Sequence, residues 1–323
     1  MKTAIITGVT GQDGSYLAEF LLNKGYKVVG FKRRSSTDPL ERLGAVLDNP
    51  NFELFYGNMH DGSSIWKCVA EKQPDEFYNL AAQSHVHVSF DAPEEAIANI
   101  AKGTQICLEA IKVLKPDCRY YQASSSEMFG DSYQEKQNEN TIFDPNSPYA
   151  AAKTCAHFLT RIYRQAYSLH ASAGILFNHE SPRRGEHFVT RKITKAAARI
   201  KLGLQDKLYL GNLDAKRDWG FAGDYIEAMW MMLQHSEPDE YVVATGKTHT
   251  VREFLEVVFQ HAGLNYEDHV VIDQRFIRPR DVPYLCGDPS KAEKTLGWKP
   301  KTSMSALAKM MYESDLEYEK QGK

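Results

Sequence analysis

The sequence predicts an α/β chain in which a doubly wound parallel sheet is joined to a smaller α/β substrate-binding part. Three observations carry that expectation. Short β-branched or aromatic runs alternate with segments of helical period along the first half, the connections between runs are long enough to hold a helix, and a glycine-rich turn joins the first run to the first helical segment. A glycine turn between strand and helix is the pattern of a Rossmann dinucleotide-binding sheet.

Thr3 to Thr7 is the first strand, and it enters Gly8-Val9-Thr10-Gly11-Gln12-Asp13-Gly14. These glycines let the backbone turn tightly and approach a pyrophosphate, whose charge sits at the positive end of the helix carrying Tyr16, Leu17, Phe20, Leu21 and Leu22. The next strand, Lys27 to Phe31, leads into Lys32-Arg33-Arg34-Ser35-Ser36, where an NAD site would place an acid for the ribose hydroxyls. Arg33 with Ser35 or Ser36 suits a 2′-phosphate instead, so the expected cofactor is NADP.

Phe52 to Tyr56 reads as the third strand; Asn58 and Met59 then pass near the adenine, and Asp61 caps a helix holding Ile65 and Val69. Glu76 to Leu80 is the fourth strand, and Ala81-Ala82-Gln83-Ser84 at its exit is small enough for a cofactor to lie against the strand ends, with Leu80 beside it. A long helix is predicted from the stripe Ile97, Ile100, Thr104, Cys107, Leu108, Ile111 and Leu114. The fifth strand, Arg119 to Ala123, delivers Ser124, Ser125, Ser126 and Glu127.

Ser147-Pro148 reads as a helix start, with a hydroxyl cap and a ring at the first position, so Tyr149 and Lys153, four residues apart, project from one face. A cation there is expected to lower the phenol toward the working pH and make it a base for a hydroxyl group. A carboxylate at Glu127 can do what neither alcohol can, which is to take a proton from carbon. Later elements are a helix over Tyr225 to Leu233, a strand over Tyr241 to Thr245 and helices over Val251 to His261 and Met304 to Tyr318. The expected division is residues 1–177 for the NADP-binding part and 178–323 for the nucleotide-sugar-binding part, interleaved with the last sheet strands.

Composition narrows the function classes. With 42% hydrophobic and 25% charged residues the 323-residue chain is an ordinary globular one, and a net charge of −3 gives no footprint for nucleic acid. No stretch has the roughly 18 uninterrupted apolar residues of a membrane span, and the apolar run at the start breaks at Gly8, too short for a secretory signal, so a cytoplasmic location is expected. The five cysteines lack Cys-x-x-Cys spacing, which argues against zinc and against a disulfide framework; they read as buried small residues.

With these residues in view the chain resembles the extended short-chain dehydrogenase/reductases, and among them the GDP-mannose 4,6-dehydratases. The resemblance is carried by Thr7 to Gly14, Asn79 to Ser84, Gln122 to Gly130, Gly174 to Gly185 with its Asn-His-Glu-Ser-Pro-Arg-Arg-Gly block, Phe188 to Ile193, and Arg217-Asp218-Trp219-Gly220. It implies dehydration of GDP-D-mannose to GDP-4-dehydro-6-deoxy-D-mannose by internal hydride transfer from C4 to C6 through bound NADP. Tyr149, helped by Lys153, handles the C4 hydroxyl proton, Glu127 removes the C5 proton, and Ser125 with Glu127 assists loss of water from C6.

The resemblance also implies that His179 lies near the nicotinamide amide and that Asn178 and Arg184 face the sugar, diphosphate or cofactor. Val189 and Lys192, then Leu210, Gly211 and Asn212, hold guanosine, Arg217 and Arg278 grip the diphosphate, and Asp281 reaches the guanosine ribose. A homodimer or homotetramer is implied, with the Arg33–Ser36 loop as a tetramer contact.

Three departures from the family pattern stand out: Ser125 replaces threonine, His87 takes the place of a small residue, and Asp281 replaces glutamate. GDP-D-glycero-D-manno-heptose is therefore an alternative substrate. An epimerase or reductase on the same fold would need Tyr149 and Lys153 but not Glu127. A catalytically silent NADP-binding protein would show a broken Ser125, Glu127, Tyr149 or Lys153, and all four are intact.

Overall fold

The computed structural model describes residues 1–36, 40–131, 134–276, 282 and 284–322. Strands β1 (Thr3–Thr7), β2 (Lys27–Lys32), β3 (Phe52–Tyr56), β4 (Glu76–Asn79), β5 (Arg119–Ser125) and β6 (Ala171–Leu176) join the strand Glu240–Val243 in one seven-stranded sheet. Its order is Glu240–Val243, β6, β5, β4, β1, β2, β3, and every pairing is parallel. The order reverses beside β1 and β4, and that switch point opens a crevice at the carboxyl ends of the strands.

Helices cover both faces, because successive side chains of a strand point to opposite sides. Ala4 and Ile6 pack with Leu17 and Leu21 of the Gln12–Asn23 helix and Met229 and Leu233 of the Ala222–Gln234 helix. Ile5, between them, packs on the other face with Ile65, Val69, Cys107 and Ile111. Tyr120 and Tyr121 divide between the same two cores. A further core gathers Ile193, Trp219, Phe254, Val258 and Met311 from the helices Val189–Lys201, Val251–Ala262 and Met304–Lys320 and the strand Trp219–Phe221, and forms the smaller lobe.

Most predicted elements are present within a residue or two. Strand β4 stops at Asn79 rather than Leu80, because the backbone N–H groups of Leu80 and Ala81 turn to donate to the Thr7 hydroxyl at 3.0 and 3.1 Å. The long apolar helix is built from Pro93–Ile97, a wider π turn over Ala98–Lys102, and Gly103–Leu114. That turn changes the phase of the stripe, so Ile97 is 52% exposed whereas Ile100, Cys107 and Ile111 are buried. Strand β6 and the Val189–Lys201 helix add to the elements read from sequence. Four cysteines are buried as expected, but Cys155 is exposed, since two residues beyond Lys153 it points from the opposite side of the helix.

Candidate active site

The glycine turn closes by contact. Gly8 has φ +69, and a Cβ there would stand 2.9 Å from the Ala81 Cα; a Cβ on Gly14 would meet the Gly8 carbonyl at 2.4 Å. Only glycine permits both the left-handed conformation and that approach. The turn forms one wall of a cavity of about 610 Å³ at the carboxyl ends of β1, β4 and β5. Gly8, Thr10, Gly11, Gln12, Asp13, Gly14, Arg33, Ser35, Asn58, Met59, Leu80, Ala81, Ala82 and Gln83 all line it, as do Ser84, Asn178, His179 and Arg184. Ser36 is outside this wall.

Two backbone segments bring the reacting groups to the inner end. Ser147 caps the Pro148–Tyr167 helix by accepting from the Ala150 N–H at 3.1 Å, Pro148 has no N–H to satisfy, and the Tyr149 N–H donates to Ser89 Oγ at 3.2 Å. The start of this helix is thereby fixed from two sides. Tyr149 and Lys153 are both buried on the face turned to β5. At the end of β5, Ser125 caps a short 3₁₀ turn by accepting from the Glu127 N–H at 3.3 Å, which holds Glu127, 8% exposed, against the same cavity.

The electrostatics differ from the expectation for the phenol. Burial pushes Tyr149 up to about 12; the Ser125 hydrogen bond opposes this and the Glu127 charge adds to it. Lys153 does not offset the burial, because its Nζ donates to the Ala123 carbonyl at 2.7 Å and its own pKa is depressed by burial to about 8. A cation four residues away along the helix is therefore insufficient by itself; the direction of its N–H groups decides the effect.

His179 and Asp13 make an ion pair across the cavity floor. Nε2 stands 2.8 Å from Asp13 Oδ2, Nδ1 stands 2.7 Å from the Phe177 carbonyl, and the ring stacks on Tyr225 at 4.8 Å. Burial works against the histidine's charge, but the Asp13 carboxylate outweighs it and His179 is raised. Burial likewise opposes ionisation of Asp13, and the His179 charge and hydrogen bond overcome it and hold the carboxyl at about 2. Gln12 adds a second tie, donating to the His179 carbonyl at 3.0 Å and accepting from Ser181 at 2.8 Å.

The cavity suits a dinucleotide. The buried Gln83 Oε1 and Asn178 Oδ1 have no protein hydrogen-bond partner among the described residues, and both belong to cavity-lining side chains. At the outer end Lys32, Arg33 and Ser35 line the wall. That is the chemistry of a phosphate rather than of a pair of ribose hydroxyls.

The substrate residues divide. Ser84, Ser125, Glu127 and Asn178 line the cavity, whereas Val189, Lys192, Leu210, Gly211, Asn212 and Arg217 stand outside its walls in the smaller lobe. Burial lowers Lys192 against the opposing charge of Asp273. Leu210 is buried and accepts from the Asp273 N–H at 2.8 Å, and Arg217 is buried on the short strand Lys216–Arg217. Arg278 and Asp281 lie outside the described residues. His87 is exposed and touches His85 edge to face at 6.5 Å; His85, unlike His87, lines the cavity.

Sequence reasoning missed several lining residues, among them Glu95, Asn99 and Phe188. Phe188 carries the Arg184 guanidinium 3.5 Å above its ring, a contact between side chains four residues apart that spacing could have suggested. Glu95 and Asn99 share a helix face by the same rule, but nothing in their own segment indicates that it reaches the cofactor crevice.

Comparison with known proteins places the chain. The GDP-mannose 4,6 dehydratase family model matches residues 5–311. GDP-mannose 4,6 dehydratase 1 of Arabidopsis thaliana is 55% identical, with 100% of this chain and 92% of that protein covered. Human GDP-mannose 4,6 dehydratase is 46% identical over 98% of this chain and 92% of its own length. Among solved structures, UDP-glucose 4-epimerase of Thermotoga maritima with UDP-glucose superposes with a TM-score of 0.87 over 99% of this chain and 100% of that one; at 22% identity this likeness concerns the fold. A match across nearly the whole length, together with relatives of this identity, means that the chain belongs to the GDP-mannose 4,6 dehydratase family.

Proposed function

We propose that this chain dehydrates GDP-D-mannose to GDP-4-dehydro-6-deoxy-D-mannose with NADP held in the 610 Å³ cavity. The observation that carries the reading is the convergence of a phenol, an ammonium, a hydroxyl and a carboxylate, from Tyr149, Lys153, Ser125 and Glu127, on one cavity built on the glycine turn. Family membership supports the same substrate.

Gly8 to Gly14 and the start of the Gln12–Asn23 helix receive the pyrophosphate, Arg33 and Ser35 the 2′-phosphate, and Gln83 and Asn178 supply unsatisfied acceptors for ligand donors. NADP, when bound, would supply the acceptor and later the donor of a hydride, and in its oxidised form a positive charge that would favour the phenolate form of Tyr149. As the phenolate of the NADP-loaded protein, Tyr149 Oη takes the C4 hydroxyl proton, with the Ser125 hydroxyl favouring the ionised form. Glu127 takes the C5 proton, acidified by the adjacent ketone, and passes it to the departing C6 hydroxyl, which leaves as water. The proton held by Tyr149 balances the one that C5 regains. Lys153, anchored on Ala123, fixes the helix turn that presents the phenol.

We take residues 1–177 as the cofactor-binding part and 178–323 as the nucleotide-sugar-binding part, with Val189, Lys192, Leu210, Gly211, Asn212 and Arg217 framing the nucleotide. A cytoplasmic homodimer or homotetramer completes the reading. Its oligomeric part is supported by Phe158 and Ile162, exposed one turn apart on the helix that carries Tyr149. No helix among the described residues is long and apolar enough to cross a membrane.

Incubation with GDP-mannose, with products weighed by mass spectrometry, tests the activity. Loss of one water from GDP-mannose is the expected outcome, whereas turnover of the GDP-manno-heptose alone overturns the substrate assignment. Sedimentation as a monomer overturns the oligomeric one.

A further inference from the structure

Arg184 lines the cavity and has no part in the proposed proton transfers, yet the protein holds it at several points. Its backbone is fixed first. The Arg184 N–H donates to the Ser181 carbonyl at 3.0 Å, and the Arg184 carbonyl accepts from Arg191 Nη1 at 3.1 Å. Arg191 is anchored in turn on the buried Asp315 at 2.7 Å. The side chain is then held in two ways: the guanidinium carbon lies 3.5 Å from the centre of the Phe188 ring, and Nε stands 3.1 Å from Glu180 Oε2. The second contact is an ion pair rather than a hydrogen bond.

Both holding groups are themselves fixed. The Phe188 N–H donates to the Gly185 carbonyl at 3.1 Å, and the Phe188 carbonyl accepts from the Lys192 N–H at 2.8 Å as the Val189–Lys201 helix begins. The Phe188 ring also meets His85 edge to face at 5.6 Å. Glu180, 2% exposed, accepts from the Thr190 hydroxyl at the start of the same helix. What remains open is the far edge of the guanidinium. Among the described residues its two terminal amino groups make no hydrogen bond to the protein. A planar fork with one face on a ring and one edge beside a carboxylate presents its other N–H groups in a set direction, which suits a phosphate. Burial acts to raise both Tyr149 and Asp13, and the Arg184 charge acts to lower both, which places that fork at the inner end of the cavity. A long side chain loses rotor freedom when it grips a ligand, unless the protein has already restrained it.

Taking the proposed dehydration as given, we propose that Phe188 is a positioning residue: by stacking on Arg184 it aims the guanidinium fork into the cavity, where the fork grips a phosphate of a bound ligand. NADP and GDP-mannose both carry such a group, and their separate titration tells which one Arg184 meets. An aliphatic residue of similar bulk cannot replace the ring, because it offers no flat face of negative potential to a planar cation.

Titration calorimetry of NADP, and of GDP-mannose on the NADP-loaded protein, tests this with the wild type, Arg184→Ala, Phe188→Leu, Phe188→Tyr and the Arg184→Ala/Phe188→Leu double variant. Arg184→Ala is expected to weaken a ligand by about tenfold or more, the worth of a hydrogen bond to a charged group. Phe188→Leu is expected to weaken the same ligand about twofold to tenfold, the cost of ordering one long side chain on binding. Phe188→Tyr, which keeps the ring, should bind as the wild type does, and the double variant should lose no more than Arg184→Ala alone. Unchanged affinities in Arg184→Ala or in Phe188→Leu overturn the proposal. So does a Phe188→Leu loss that persists without Arg184, since the ring would then touch the ligand itself. Should Phe188→Leu not fold, Phe188→Met is read by the same criteria. Product mass is followed in parallel: a wild type that forms no dehydrated product rejects the proposed function, while the binding series judges Phe188 and Arg184 separately.

Discussion

Lys153 Nζ lies 5.8 Å from the centre of the Tyr149 ring and gives its hydrogen bond to the Ala123 carbonyl, so the ammonium is directed at the backbone of β5 rather than at the phenol. In the cofactor-free protein Tyr149 therefore stays a phenol, held near 12 by burial. A difference spectrum between wild type and Tyr149→Phe should show a phenolate appearing only near pH 12. Turnover of Tyr149→Phe should fall by about 10²- to 10⁴-fold, the usual worth of a positioned acid–base group. A phenolate that forms near pH 10 would show that burial does not govern this residue.

Glu127 separates dehydration from simple oxidation and reduction. Glu127→Gln keeps the size of the side chain but cannot take the C5 proton, so release of water should fall by about 10²- to 10⁴-fold while GDP-mannose still binds. Deuterium entry at C5, read by mass spectrometry, should be lost with it. Unchanged water loss in this variant would favour an epimerase or reductase.

The preference for NADP should reside in the segment after β2. Removing a charge-assisted phosphate contact with Arg33→Ala should weaken NADP about tenfold or more and leave NAD little changed, as measured by equilibrium titration of both dinucleotides. Equal losses for the two would place the 2′-phosphate elsewhere.

The Asp13–His179 pair should leave a signature in the dependence of stability on pH. Asp13 is depressed to about 2, so its contribution is present above its unfolded value of 3.8 and is lost as pH falls through 2. His179 is raised, so its contribution is full below its unfolded value of 6.5 and is lost as pH rises through the raised folded value. The difference in Tm between wild type and Asp13→Asn, without cofactor, should therefore be largest between about pH 4 and 6.5 and shrink on either side. A difference that is constant with pH would show that the pair is not charged.

Gly14 permits no side chain. In Gly14→Ala the Cβ would stand 2.4 Å from the Gly8 carbonyl oxygen and 2.6 Å from the Val9 Cα, both backbone atoms. Chemical denaturation should show a loss of about 1–3 kcal/mol, typical of overpacking, together with weakened NADP binding. A fully stable variant with normal affinity would show that the turn can open.

Much of the fold and of the cofactor wall was legible in the sequence because both depend on local rules. Alternating Ala4, Ile5 and Ile6 must feed cores on two sides of a sheet, and Ser147-Pro148 must start a helix, whatever lies elsewhere. Residues such as Glu95, Asn99 and Phe188 were illegible because their segments carry no local mark of reaching the crevice, which forms only when β4 and β6 feed chain into it.

The sequence by itself determined which groups are available: a glycine turn for a pyrophosphate, a base-rich end of β2, and Ser125, Glu127, Tyr149 and Lys153 at spacings that a strand end and a helix turn can bring together. The tertiary structure alone decided how those groups behave. Sequence spacing fixes distance along a helix but not the direction of an N–H, so only packing against β5 could send Lys153 to Ala123 and leave burial in control of Tyr149. Likewise only the folding of β5 against the Pro148–Tyr167 helix sets the Ser124 hydroxyl 2.9 Å from His157 Nδ1, because hydrogen bonding requires contact within about 3 Å and no rule of sequence separation supplies it.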